Sequence, residues 1–337
     1  MGRHFSGQLG GILKQHLAEI DVDLERDAWF TNALICHPVK GTVKADHAVY
    51  CRPNLKTTIE DLEPDVVVLM GLTAIRAFVG MTWKENPGEV ERWAGWKIPN
   101  ISPNTWVIPT YGLGFLLRMD NRMLNRMFVE HLKIAFETRG KPWQTSPDWK
   151  SRVEVHYDDK RVAKILRQMI ARGGVCGVDY ETNCLKPEYV GAEAVSFSVS
   201  WEGKKTISYP WRGEAIKATG ELLAAESIHK VASNLKMEER WTRFLFGHGV
   251  RNWHHDTMIA AHVLDNRKGT KGLKFQAYAK LGMPPYNEHI EPFFQSHGGG
   301  HLNRIREVAM EDLLLYGGLD SLLEYQLAKV QRKELGL

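Results

Sequence analysis

The segment TRGKPWQTSPDWK, residues 138–150, breaks the 337-residue chain in two. It gathers one Gly, two Pro, a Ser and two Thr with no apolar periodicity, between a helical pattern before it and an alternating one after it. A chain of this length holds two ordinary domains of roughly 100 to 200 residues each. The reading is therefore a domain over 1–138, a linker over 139–150 and a second domain over 151–337.

Both halves read as α/β. In the first, Trp29–Cys36 (WFTNALIC) and Pro64–Met70 (PDVVVLM) are predicted as buried strands. The second of these passes through Gly71 into a helix over Thr73–Val79, a parallel α/β unit. A closing helix over Asn121–Phe136 sets Met123, Leu124, Met127, Phe128, Leu132 and Ala135 on one face. In the second half, Val175–Tyr180, Ala194–Trp201 and Lys205–Tyr209 alternate as strands of a meander, the last two joined by a Glu202-Gly203 turn. Helical patterns follow at Met237–Phe246, Asp256–Leu264, Leu273–Leu281 and Met310–Val330.

A net charge of +4 suits a polyanionic partner without demanding one. Four cysteines and no secretory apolar segment fit a reducing compartment, so a cytoplasmic protein is expected, in a phage or bacterial setting. The longest apolar runs, such as Val66–Leu69 and Leu313–Leu315, fall far short of the ~20 residues a bilayer-spanning helix needs, and no membrane partner is expected.

In VDYET, Asp179 and Glu181 stand two apart on a strand and so share one face of the sheet. In YGGLD, Tyr316 and Asp320 stand four apart on a helix, and in NLKME so do Asn234 and Glu238. Each pattern alone could be a solvated face. In this order they can hold two Mg²⁺ or Mn²⁺ ions about 3.5 to 4 Å apart, one activating water and one stabilising a leaving oxygen, with Tyr316 orienting the water.

These residues resemble the DEDD exonuclease superfamily, tyrosine subclass, as in the proofreading domain of family A DNA polymerases, over about 180 residues. Asp179 and Glu181 match the first motif, Asn234–Glu238 the second, and Tyr316 with Asp320 the third. HDTMIAAHVLD (His255–Asp265) and GLKFQAYAKLG (Gly272–Gly282) look like the helices after the second motif, where Asp256, Leu273 and Tyr278 read as structural. The resemblance implies a ribonuclease H-like fold and a catalytic set of Asp179, Glu181, Glu238, Tyr316 and Asp320, all but the tyrosine ligating metal. Asn234 and Thr182 are the implied substrate contacts. Glu238 departs from the family's Asp by one methylene, and Glu239 would face about 100° away on a helix.

The first half resembles the iron-sulfur, family 4 type of uracil-DNA glycosylase over nearly all of 1–137. Its matching segments are GRHFSGQLGGIL, WFTNALICHP with a base-reading Asn32 and a cluster cysteine at Cys36, Cys51 followed by RPNL, PDVVVLMGLTAIRAFVG, and VIPTYGLGFLLR. The last is similar to the DNA-intercalating loop, making Thr110 and Tyr111 candidate DNA contacts. The chain starts after the point where that family carries its glycine-rich motif and two of four cluster cysteines. Gly112 and Leu113 also stand where the family has His-Pro. An Fe–S cluster is therefore not expected, Cys36 and Cys51 read as free thiols, and this half reads as a degenerate DNA-binding domain.

The leading expectation is a metal-dependent 3′-5′ exonuclease acting on single-stranded or frayed DNA 3′ ends, beside a DNA polymerase in replication or repair. Trp201, Tyr209 and Trp211 could stack on bases, and Lys204, Lys205 and Arg212 could meet phosphates. A module that binds DNA without cutting it is the alternative, and an active uracil-DNA glycosylase the third reading.

Overall fold

The computed structural model describes residues 5, 7–35, 43–83, 86–101, 104–141, 147–296 and 300–337. The chain forms two compact units, Met1–Ser146 with Tyr278–Pro284, and Pro147–Ala277 with Pro285–Leu337.

The first unit runs α1 (Gln8–Ala18), α2 (Leu24–Asp27), α3 (Ala45–Leu62), β1 (Val66–Met70), α4 (Leu72–Phe78), α5 (Val90–Trp93), β2 (Ile98–Asn100), β3 (Thr105–Thr110), α6 (Leu113–Met119) and α7 (Arg122–Thr138). Its sheet has the order β1-β3-β2, with β1 parallel and β2 antiparallel to β3. Asn121 starts α7 by accepting the N–H groups of Met123 and Leu124 at 2.8 and 3.3 Å. The helix then buries Phe128 and Leu132 against Leu13 and Leu17 of α1 and Leu113 and Leu116 of α6.

The expected strand over Trp29–Cys36 does not form in its described part, which ends at Ile35. Trp29 and Ile35 are 60% and 61% exposed. Ala28, just before it, is extended (φ −140°, ψ 144°), but among the described residues no strand pairs with the segment to complete a ladder. Apolar and aromatic residues measure fit to a pleated surface, and here there is no such surface to join.

The second unit runs β4 (Val153–Val155), α8 (Asp159–Arg172), β5 (Gly174–Thr182), β6 (Ala194–Trp201), β7 (Lys205–Pro210), α9 (Gly213–Ala224), β8 (Ile228–Ala232), α10 (Lys236–Phe246), β9 (Trp253–Asp256), α11 (Thr257–Leu264), the start of α12 (Leu273–Leu281) and α13 (Met310–Glu334). Its sheet order is β4-β7-β6-β5-β8-β9. The meander β5-β6-β7 is antiparallel, and β8 and β9 extend it in parallel from β5. Glu202 and Gly203 both take positive φ, 53° and 60°, at the β6-β7 turn, which matches the twist of the flanking strands.

Strand β5 divides its side chains between two layers. Cys176, Val178 and Tyr180 enter the core formed with Val162 and Leu166 of α8, Leu222 of α9 and Trp241 of α10. On the other face lies α13, at very close range. A Cβ at Gly177 would stand 2.1 Å from the Ser321 carbonyl oxygen, and one at Gly317 would stand 3.2 Å from Glu181 Cγ. Glycine at 177 lets strand and helix approach backbone to backbone, and glycine at 317 leaves room for the Glu181 side chain. Ser198 Oγ of β6 donates to the Gly317 carbonyl at 2.7 Å and fixes the register of α13 on the sheet.

Candidate metal centre

The close approach of α13 to β5 brings the first and third motifs together. One carboxylate oxygen each from Asp179, Glu181 and Asp320 lies within 4.8 Å of the others. Glu181, Glu238 and Asp320 are buried at 5%, 3% and 7% exposure. Asp179 Oδ2 and Glu238 Oε2 are buried with no hydrogen-bond partner. Buried carboxylate oxygens are ordinarily satisfied, and an orphaned Asp179 oxygen beside two further acids suits a hard divalent cation that takes oxygen ligands, whereas Glu238 lies outside that 4.8 Å group.

The charges register this crowding. Burial pushes the Asp179 and Glu181 carboxyls well above their ordinary range, and the neighbouring carboxylates, Asp320 among them, push further in the same direction. Burial raises Glu238 too, with Asp179 adding to it. Burial and the nearby Asp320 raise the Tyr316 phenol, which lies between the rings of Tyr286 and Phe294 at 5.8 and 5.7 Å.

A lysine sits among these acids. Lys274 of α12 donates to Asp320 Oδ1, as does the Tyr286 hydroxyl, and its ammonium lies 4.1 and 4.3 Å from the ring centroids of Tyr286 and Tyr316. It is the cation that neutralises Asp320 in the chain itself. The sequence reading passed over Lys274, Tyr286 and a further buried glutamate, Glu324. For Glu324 the signal was present, one more i, i+4 step along the face that carries Tyr316 and Asp320.

The second motif is positioned by backbone contacts. Asn234 takes a left-handed conformation (φ 66°) just before α10, whose first turn holds Glu238. Asp256 accepts the N–H groups of Asn234 and Leu235 on one side, and those of Met258 and Ile259 as the cap of α11 on the other. Its role is structural, as the sequence suggests. Glu239 points elsewhere, accepting from Arg243, Val250 N–H and Trp253 Nε1. The Asn234 side chain is exposed, and the Thr182 hydroxyl donates to the Cys184 carbonyl at 2.9 Å.

Several residues considered for strand contact belong to the interior instead. Tyr209 is 1% exposed and pairs its hydroxyl with Thr219 at 2.7 Å. Trp211 packs on Tyr180, Phe197 and Phe246, and Trp201 donates to the Gly173 carbonyl. The alternation of β6 and β7 puts these rings on the core face, which the aromatic character alone does not reveal. Arg212 donates to the Tyr157 carbonyl and Lys205 lies 3.8 Å from Glu154. Lys204 is exposed.

In the first unit, β1 and β3 end side by side, with Gly71 N–H donating to the Thr110 carbonyl at 2.9 Å. The Cβ of any larger residue at Gly71 would meet Gly112 Cα at 3.2 Å. Thr110 is fully buried with its hydroxyl 2.9 Å from His131 Nδ1, and Tyr111 is buried between Phe115 and His131. Asn32 is exposed and lies outside any strand. Cys51 is buried within α3, and Cys36 lies outside the described residues. Among the described residues no helix is long and apolar enough to cross a membrane.

A mixed six-stranded sheet of this order, with converging carboxylates under its longest helix, defines an exonuclease domain of ribonuclease H type. The chain belongs to the 3′-5′ exonuclease family through residues 155–335 and to the uracil DNA glycosylase superfamily through residues 1–135. A type-4 uracil-DNA glycosylase of Thermotoga maritima is 30% identical over 138 residues, which cover 40% of this chain and 67% of that protein. Among solved structures, the apo form of a nuclease is 16% identical with a TM-score of 0.42, covering 55% of this chain and 82% of its own. NrnC of Brucella melitensis with bound Mg²⁺ is 18% identical with a TM-score of 0.38, covering 49% and 75%.

Proposed function

We propose that the second unit is a divalent-cation-dependent exonuclease that hydrolyses the terminal phosphodiester at 3′ ends of single-stranded or frayed DNA. The observation that carries this reading is the convergence of Asp179, Glu181 and Asp320, with ligand atoms within 4.8 Å of one another and one buried Asp179 oxygen left without a partner. Two Mg²⁺ or Mn²⁺ ions would supply an activated water and charge stabilisation for the departing 3′ oxygen. Asp179, Glu181, Glu238 and Asp320 are the residues that would hold them.

Tyr316 orients the attacking water. The water oxygen bonds to phosphorus as the P–O3′ bond breaks. The nucleotide leaves with its 5′ phosphate, and the shortened strand keeps a 3′ hydroxyl. Asn234, exposed just before α10, contacts the strand, whereas Thr182 is buried with its hydroxyl on the Cys184 carbonyl and reaches the strand only if that bond opens. The activity serves proofreading beside a DNA polymerase. The first unit binds DNA without cleaving the glycosidic bond, in keeping with Gly112 standing where the resemblance to the glycosylases places a histidine.

The test is time-resolved degradation of 5′-labelled single-stranded DNA and RNA oligonucleotides of one sequence in Mg²⁺, Mn²⁺ or EDTA, with Asp179→Ala and Asp320→Ala as variants. A ladder shortening from the 3′ end, faster on DNA, absent in EDTA and lost in both variants, is expected. Oligonucleotides bound but uncut in every condition would replace this reading with a DNA-binding module. EDTA-resistant release of uracil would assign the chemistry to the first unit.

A further inference from the structure

One buried acid of α13 belongs to none of the three motifs. Tyr316, Asp320 and Glu324 occupy successive turns of α13 and therefore one face, the face that lies on β5. Glu324 is 2% exposed. Its Oε1 accepts the Ser233 N–H at 3.0 Å, which aims the carboxylate at the residue preceding Asn234 and so across to the second motif. Its Oε2 is buried and has no hydrogen-bond partner, the same condition as Glu238 Oε2 and Asp179 Oδ2.

Burial raises the Glu324 carboxyl, and Asp179, Glu238 and Asp320 each add to that rise, so all three lie within electrostatic reach. No partner reaches Oε2. A buried, unpartnered carboxylate oxygen on the helix face that carries Asp320, its sister oxygen held by a backbone N–H, is what a cation ligand requires.

We propose that Glu324 is a fifth carboxylate of the metal centre, supplying Oε2 to a divalent cation while Oε1 stays on the Ser233 N–H. This rests on the metal-dependent reading above and adds a ligand to it. Its position between the second and third motifs gives the Glu238 side of the site a donor that the motif pattern does not include.

The test is Mn²⁺ binding by the full chain, followed by electron paramagnetic resonance of free Mn²⁺ and by thermal unfolding with Mn²⁺ or EDTA. The variants are Glu324→Gln and Glu324→Asp, with the exposed Glu311→Gln of the same helix as control. Glutamine keeps an acceptor for Ser233 N–H and relieves repulsion among buried acids, so Glu324→Gln should unfold in EDTA at or above the wild-type temperature. It should bind Mn²⁺ at one site at least about tenfold more weakly and lose most of the Mn²⁺-induced rise in unfolding temperature. Glu324→Asp should fall between the two and reports independently if the glutamine variant folds poorly. Glu311→Gln should match wild type. Wild-type Mn²⁺ binding in both Glu324 variants would overturn the assignment alone. Absence of saturable Mn²⁺ binding in the wild type would overturn the metal-dependent reading beneath it.

Discussion

Asp256 Oδ1 accepts the backbone N–H of Asn234 at 3.1 Å, and Oδ2 accepts that of Leu235 at the same distance. One carboxylate thus caps α11 and clamps the left-handed residue from which α10 and Glu238 depart. Replacing it by alanine removes a helix cap, worth about 1 kcal/mol, and orphans donors that are costly to leave unmade. Asp256→Ala should lose about 3 kcal/mol of stability by denaturant unfolding and most nuclease activity. Asp256→Asn, which keeps one acceptor oxygen, should lose less of both. Equal activity in Asp256→Ala and wild type would mean that the clamp does not place Glu238.

A second prediction separates stability from chemistry. An alanine Cβ at Gly317 stands 3.2 Å from Glu181 Cγ and Oε1 and 3.6 Å from Asp179 Oδ2. The glycine lies inside α13, where alanine is favoured by roughly 0.5–1 kcal/mol, which offsets part of the crowding. Gly317→Ala should therefore stay within about 1 kcal/mol of wild type while its Mg²⁺-dependent rate falls tenfold or more, because the side chain that yields is Glu181. A variant with full activity would show that Glu181 has room to move and still function.

What could be read from the chain in advance follows the range of the forces involved. Asp179 with Glu181, and Tyr316 with Asp320, are fixed relative to each other by strand and helix periods alone, so local spacing suffices. The strands around them were equally plain, with Ala194–Trp201 forming over the predicted residues. Lys274 reaches Asp320 from 46 residues away and Asp256 reaches Asn234 from 22, and no period encodes such contacts. The short strands β8 and β9 and the helices α8 and α9 also escaped, since their apolar residues are recognisable as core only once β5 supplies the surface they cover. Tyr209 and Trp211 failed in the opposite sense. Their ring chemistry suits nucleotide stacking, and the sheet uses it for packing.

Proton release offers a third prediction. The Asp179, Glu181 and Glu238 carboxyls are raised above their ordinary range by burial first and by neighbouring carboxylates next. A carboxyl raised in the folded chain contributes stability that is complete below the unfolded value of about 4 and is lost as pH rises through the folded one. His254 and His255 are lowered by burial and act in the opposite direction as pH falls, so wild type must be compared with a matched variant. In EDTA, wild type should lose stability relative to Glu238→Gln as pH rises from 5 to 8. Mn²⁺ binding should expel protons, seen as a dependence of calorimetric heat on the buffer's ionisation enthalpy and as affinity that increases with pH. A pH-independent difference between the two proteins would place Glu238 in an ordinary environment.

The lysine at the centre makes the fourth prediction. The Lys274 side chain is 20% exposed and that of its partner Asp320 9%, so the pair is largely shielded from solvent. Removing one member of such a pair strands the other and costs about 3 kcal/mol or more. Lys274→Met, similar in length and uncharged, should unfold well below wild type in EDTA. Added Mn²⁺ should recover most of the difference, because the cation takes over the charge that Lys274 supplies to Asp320. Mn²⁺ affinity should rise, since the ammonium no longer competes for Asp320 Oδ1. If the variant is destabilised equally with and without Mn²⁺, Lys274 works through packing on Tyr286 and Tyr316, and the charge it brings to Asp320 is incidental.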